Sequence, residues 1–171
     1  MEENKISEDG FREIEDLLRQ AGKGCLALCD GSMPYIIPMN FLYHERKIVF
    51  HSSFTGKKLD LIARNPNCCF QVDRYVVTPG CSDNGWDYDS VLAFGKACIG
   101  TSKKEKIRLL QLFAEKYDER YRKPVSQGGL KVGVTKQPNC NCIVIHIEEL
   151  TGLRARTVDG RRQRTRWRRK F

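Results

Sequence analysis

Short strand-like runs joined by turn signals, with three helical stretches among them, constrain this chain most. Residues 24–29 form an apolar run that ends at Asp30-Gly31, a hairpin signal. Residues 33–43 form a second run, interrupted by Pro34 and Pro38. Proline cannot donate to a ladder, so this strand belongs at an edge or a bulge. Residues 47–52, 68–76 and 90–99 continue the series, and Gly95 in the last marks a bend or a close backbone approach. Residues 141–148 alternate, with Cys142, Val144 and His146 on one face and Ile143, Ile145 and Ile147 on the other; residues 151–158 can pair with them. Phe11, Ile14, Leu17, Leu18 and Ala21 recur at helical spacing behind a Ser7 cap. Thr55 can cap a short helix that runs to Arg64 and ends at Asn65-Pro66. Ser102 and Glu105 have capping-box spacing ahead of Ile107, Leu110, Phe113 and Tyr117. Residues 118–139 are polar and loop-like. Hairpins rather than βαβ units dominate, which predicts a mainly β (α+β) fold: an antiparallel sheet closed into a small barrel, with helices over its openings.

Charge divides the chain unevenly. The formal net charge is +9, yet residues 154–171 hold nine basic residues and the single acid Asp159, so they carry +8 of it. The expected division is therefore a nearly neutral domain, residues 1–153, and an Arg-rich C-terminal tail, residues 154–171. Such a tail can act as a phosphate arm, an arm on a partner subunit, a nucleic-acid arm or a solvated end. The body lacks a DNA-binding motif, so nucleic acid is not the expected partner. No apolar run approaches the ~20 residues of a membrane span, and the acidic start lacks the apolar stretch of a secretory signal; the expected location is the cytoplasm, away from membranes. The eight cysteines form no paired C-x2-C framework and read as reduced, packed thiols and not as metal ligands. Cys81 is the exception, lying in a polar, Gly-containing loop where it is a candidate for a functional role.

The chemistry concentrates where the third strand enters the short helix: Phe50-His51-Ser52-Ser53-Phe54-Thr55-Gly56-Lys57-Lys58-Leu59. Free N–H groups at a helix start attract anions. Gly56 permits close approach, Ser52, Ser53 and Thr55 offer hydroxyls, and Lys57 or Lys58 offers charge, so the stretch reads either as a phosphate cradle or as a capped surface helix with solvated lysines. The pattern is not a P-loop, since Gly-x4-Gly-Lys-Ser/Thr is missing. His51 suits a proton donor or a pocket wall, because its unperturbed pKa lies near neutral. His44 reads as a solvated turn residue, and His146 as a core or interface histidine. Trp86 and Tyr88 can stack on a ring or close the barrel mouth.

Five stretches occur in order: Pro38-Met39-Asn40-Phe41, Ile48-Val49-Phe50-His51-Ser52, Gly56-Lys57-Lys58-Leu59, Arg64-Asn65-Pro66-Asn67-Cys68-Cys69-Phe70 and Tyr88-Asp89-Ser90-Val91-Leu92-Ala93-Phe94-Gly95-Lys96-Ala97. Over residues 11 to about 153 the chain resembles the Nim-type nitroimidazole-resistance proteins, within the pyridoxamine 5'-phosphate oxidase-like flavin-binding split barrels. The resemblance implies a six-stranded antiparallel split β-barrel with flanking helices, and a homodimer with FMN in a groove at its interface. It places Met39, Asn40 and Phe41 along the isoalloxazine edge, and Ser52 and Ser53 near the flavin or its phosphate chain. Lys58, with Lys57, would hold the phosphate, and His51 would lie near flavin and substrate. Tyr88 and Ser90 would reach the site from the second subunit, and Arg166-Trp167 would lie against FMN. The implied activity is an FMN-dependent oxidoreductase acting between a nicotinamide or other electron donor and a small flat acceptor such as a nitroaromatic. The same fold also accepts haem or a deazaflavin, and serves as a binding module without turnover.

Overall fold

The computed structural model describes residues 4–5, 7–76, 87–117, 140–159 and 161–171. The loop at residues 78–85 with Cys81, the neighbouring Trp86 and the polar segment 118–139 lie outside the described residues. The elements run β1 (Asn4–Lys5), α1 (Glu8–Gln20), β2 (Lys23–Cys29), β3 (Pro34–Asn40), β4 (Leu42–His44), β5 (Lys47–Ser52), α2 (Lys57–Arg64), β6 (Asn67–Val76), β7 (Asp87–Ile99), α3 (Lys103–Tyr117), β8 (Asn141–Val158) and β9 (Arg161–Lys170).

The expected second strand is two strands. β3 pairs with β2 and β4 pairs with β5, and the single residue Phe41 joins them. This break closes the barrel. β5 pairs with the start of β8, β8 with β7, β7 with β6 and β6 with β2, all antiparallel. Six staves thus form a ring: β2, the broken β3–β4 stave, β5, β8, β7 and β6. The strand count in the sheet is nine rather than six, because one stave is split and β9 and β1 lie outside the ring. The prolines occupy β3, which among the described strands has a neighbour on one side only, where their missing N–H groups are tolerated.

The core follows the alternation. Leu26, Phe41, Ile48, Phe50, Phe70, Ile143, Ile145 and Leu150 are fully buried. α1 buries Phe11, Ile14, Leu17 and Leu18, and Ser7 caps it by accepting from the Gly10 N–H at 3.1 Å. Residues 142–145 are buried on both faces because α3 covers the outer one: Leu109 packs with Val49, Cys142 and Val144. His146 is exposed, so within this chain it is not a core histidine. His44 is only partly solvated, its Nε2 3.2 Å from Arg108 and 3.3 Å from Glu45. Residues 151–158 do not return to pair with 141–148; they continue them as one 18-residue strand. A bulge opposite Phe94 and Gly95 takes up the register change. Gly95 is required there, since a Cβ would strike the His146 carbonyl. Burial holds the Cys68 thiol up at about 12 and the Cys142 thiol at about 11, so both are inert at neutral pH.

The Arg-rich stretch is part of the sheet. The expected boundary at residue 153 falls inside β8, and β9 pairs with β8 from Val158↔Arg161 to Glu149↔Lys170. Alternation supplies the reason. Trp167 faces inward, 4% exposed, over Gly152, where a Cβ would collide with the indole. Arg169 stacks 3.8 Å over Phe11 and pairs with Glu8 at 3.2 Å, while Glu149 holds Arg168 at 2.7 Å.

The end of α3 locks the Phe41 break. The Tyr117 hydroxyl accepts from the Phe41 N–H at 2.9 Å and lies 2.6 Å from the Phe41 carbonyl and 2.5 Å from that of Gly22. Lys116 Nζ donates to the carbonyls of Ala21 (2.7 Å) and Phe41 (3.0 Å), and burial lowers its pKa to about 8. Tyr117→Phe removes every one of the hydroxyl's bonds and should cost about 1–2 kcal/mol of stability. Urea denaturation measures it; an unchanged midpoint would mean that the break holds without the clamp.

Candidate flavin cradle and groove

The residues of the expected phosphate cradle come together at the end of β5, each in different surroundings. Ser52 is 4% exposed and its Oγ has no hydrogen-bond partner among the described residues. Leaving such a group unsatisfied costs about 1–3 kcal/mol, which is a reason to look for a ligand. Ser53 has spent its proton, donating to the Thr55 carbonyl at 2.9 Å. Thr55 does not cap the helix. Gly56 is the N-cap, at φ 132°, with open space where a side chain would stand. No side chain among the described residues caps α2; the Leu59 N–H already donates to the Gly56 carbonyl at 2.8 Å, which leaves the Lys57 and Lys58 N–H groups to face an anion. Lys57 Nζ lies 4.9 Å over the Tyr35 ring. Neither Lys57 nor Lys58 forms an ion pair with the described residues. An orphan hydroxyl, free helix N–H groups, an open glycine and two uncompensated cations fit a phosphate.

The rest of the expected set is dispersed. His51 and Ser52 are consecutive in a strand, so their side chains take opposite faces. His51 is exposed and meets Phe113 edge-on at 4.9 Å, on the α3 side. Met39 is half-buried against the core and Asn40 is exposed. Phe41 is 0% exposed and packs edge-on against Phe70 at 4.9 Å, so its ring sits in the core and not along an accessible edge. Trp167 is likewise in the core.

Tyr88, Ser90 and Arg166 sit on the outer face of β7–β8–β9. Tyr88 lies 6.0 Å from Tyr75, with the Arg162 guanidinium 5.7 Å over its ring. Ser90 and Arg166 flank Leu153 in one cross-strand row. They line a groove of about 600 Å³ with Leu92, Phe94, Thr151 and others. Ser52 pairs with Asn141 and Ser90 with Leu153, twelve residues on along β8, roughly 40 Å of strand. The cradle and the groove of one chain therefore sit toward opposite ends of β8.

Asp89, between Tyr88 and Ser90, was missed from sequence. It is 1% exposed and turned inward, where Arg74 (2.7 Å), Arg154 (2.8 Å) and Arg156 (2.8 Å) converge on its carboxylate. Burial alone would raise its pKa, but hydrogen bonds from the three guanidiniums hold it below the usual carboxylate range. The available signal was an acid at an inward position of strand 87–99, facing Arg154 and Arg156 on one side of the next strand.

A family model described as pyridoxamine 5'-phosphate oxidase matches residues 11–154. The chain belongs to this family. No curated protein matches its sequence. Among solved structures, the family's fold recurs in a candidate 5-nitroimidazole antibiotic resistance protein from Bacteroides thetaiotaomicron, 20% identical, with TM-score 0.65 and 89% of this chain and 88% of that one covered. A FAD-binding protein from Mesorhizobium loti is 20% identical, with TM-score 0.60 and coverages of 87% and 95%. A FAD and haem binding protein from Mycobacterium smegmatis is 19% identical, with TM-score 0.63 and coverages of 85% and 69%. Within the pyridoxamine 5'-phosphate oxidase family, this chain is a mainly β member with three described helices. None of those helices is long and apolar enough to cross a membrane.

Proposed function

We propose that the protein binds FMN and works as an oxidoreductase on small flat acceptors, nitroaromatics among them, with a nicotinamide as electron donor. The observation that carries the cofactor is the Ser52 hydroxyl, buried and without a hydrogen-bond partner among the described residues, beside the uncapped, lysine-flanked start of α2. The Ser52 hydroxyl and the backbone N–H groups and ammonium groups of Lys57 and Lys58 would bind the phosphate. Asn40 is the exposed member of its triplet for polar contact with the ring. His51, on the opposite face of β5, would hold or release a proton outside the cradle. Bound flavin would supply the redox chemistry, and the protein binding, orientation and exclusion of side reactions.

The placement of cradle and groove toward opposite ends of β8 supports a homodimer in which the second protomer brings Tyr88 and Ser90 over the first protomer's cradle. Freshly purified protein should be yellow, sediment as a dimer, and bleach when a nicotinamide donor is added. If it neither retains flavin nor binds added FMN, the proposal fails. Flavin that stays oxidised with every nicotinamide would favour a binding module without turnover.

A further inference from the structure

The two halves of β9 are served differently. The C-terminal half has a strand beside it, since β1 pairs in parallel with Trp167 and Arg168. It also has acids for its cations: Glu149 holds Arg168 at 2.7 Å and Glu8 holds Arg169 at 3.2 Å. The N-terminal half, residues 161–166, pairs with β8 on one side and, among the described residues, with no strand on the other. Four of those six residues are arginines and none is acidic. Arg161 and Arg164 are exposed and form no ion pair with the described residues. Arg162 and Arg164 project from one face of the strand, about 7 Å apart, and Arg161 from the other. The acids of the adjoining elements are engaged elsewhere: Asp89 by Arg74, Arg154 and Arg156, and Glu13 by Arg154.

We propose that the 161–166 edge of β9 docks an extended acidic peptide, which adds to the sheet as a further strand. The open N–H and C=O groups of the edge supply affinity, and alternate side chains supply selectivity. Successive side chains of a strand take opposite faces, so a peptide with an acid at every second residue sets its carboxylates beside Arg162 and Arg164. The other half of β9 shows both parts of this arrangement already in place: a short strand on the edge and carboxylates on the guanidiniums. A nucleic acid would use the arginines and leave the backbone row unmatched. Residues 161–166 also offer it no aromatic ring on which a base could stack. A second copy of the same edge brings arginines and no acid. Since residues 1–153 carry a net charge of only +1, the attraction for an acidic partner is concentrated at this strand. The inference does not depend on the flavin reading.

The test is fluorescence anisotropy of a labelled peptide of alternating glutamate and threonine, titrated with the full chain at low ionic strength. The peptide should bind, more weakly as salt is added, and its lysine–threonine counterpart should not. N-methylation of every second residue separates strand addition from plain charge attraction. Alternate residues of a strand turn their N–H groups to opposite edges, so methylation in one frame should abolish binding and in the other leave it unchanged. Arg161→Gln combined with Arg164→Gln should weaken binding about fivefold or more. The melting temperature should stay at the parent value, because both side chains are exposed. No binding of the acidic peptide, the same response in both methylated frames, or full affinity in the double variant would overturn the proposal. So would a single-stranded oligonucleotide of equal charge that binds more tightly than the peptide, which would make the row a phosphate track. Protein that carries no flavin gives the same readings, so failure of the flavin reading is seen separately.

Discussion

Replacing Lys57 and Lys58 together by alanine should weaken FMN binding by about a hundredfold or more and leave riboflavin binding unchanged. Hydrogen bonds to charged groups contribute about 1.5–3 kcal/mol each, and both ammonium groups are free of acidic partners among the described residues. Riboflavin lacks the phosphate, so it isolates that contact from the ring's. Quenching of flavin fluorescence measures both affinities. The FMN affinity of the parent protein should also fall with added salt, because the cradle lies at an exposed helix start. If the double variant binds FMN as the parent does, the phosphate is not at α2. If it loses riboflavin equally, the lysines act on the fold or the ring instead.

Asp89→Asn should be among the most destabilising single changes in the chain, costing about 3 kcal/mol. Three guanidiniums would remain around a neutral amide. The cost stays near the lower end for a broken buried pair, because the arginine side chains are 43%, 24% and 33% exposed and reach water. The pH dependence carries a further signature. The folded-state pKa of Asp89 is depressed, so the unfolded chain binds the proton more readily. The contribution is complete above the unfolded carboxylate value of about 3.9 and is lost as pH falls through the lower folded value. Denaturation of the parent protein across the acid range should show this step, and the Asn variant should lack it. Matching stabilities at neutral pH would show that the three arginines find other partners at no cost.

Much of the barrel was legible because its signals are local. Asp30-Gly31 marks the first hairpin, two prolines mark an edge, and Gly95 marks the bulge. The rest depends on partners distant in sequence. Phe41 sits in an apolar run like any strand residue, and only the pairing of its two flanks with β2 and β5 makes it the seam of the ring. The Arg-rich stretch read as a separate tail, an arm or a solvated end, because its compensating groups, Glu8, Glu13, Asp89 and Glu149, lie in other elements. Trp167 was assigned to the cofactor for want of a sign that Gly152 leaves room for it in the core. The cradle was legible as a set of residue types. Its sorting was not: Ser52 is open to a ligand while Ser53 is occupied by its own loop, a difference of one step along a strand.

β9 also bears on how these molecules avoid one another. It lies outside the ring, and β1 pairs with it only at Trp167 and Arg168, so its backbone over residues 161–166 has no further strand beside it among the described residues. An open sheet edge of that kind invites stacking into aggregates. Here it carries Arg161, Arg162, Arg164 and Arg166 within six residues and no acid. Two copies approaching edge to edge would bring like charges into register, so the strand that completes the sheet also keeps it from growing.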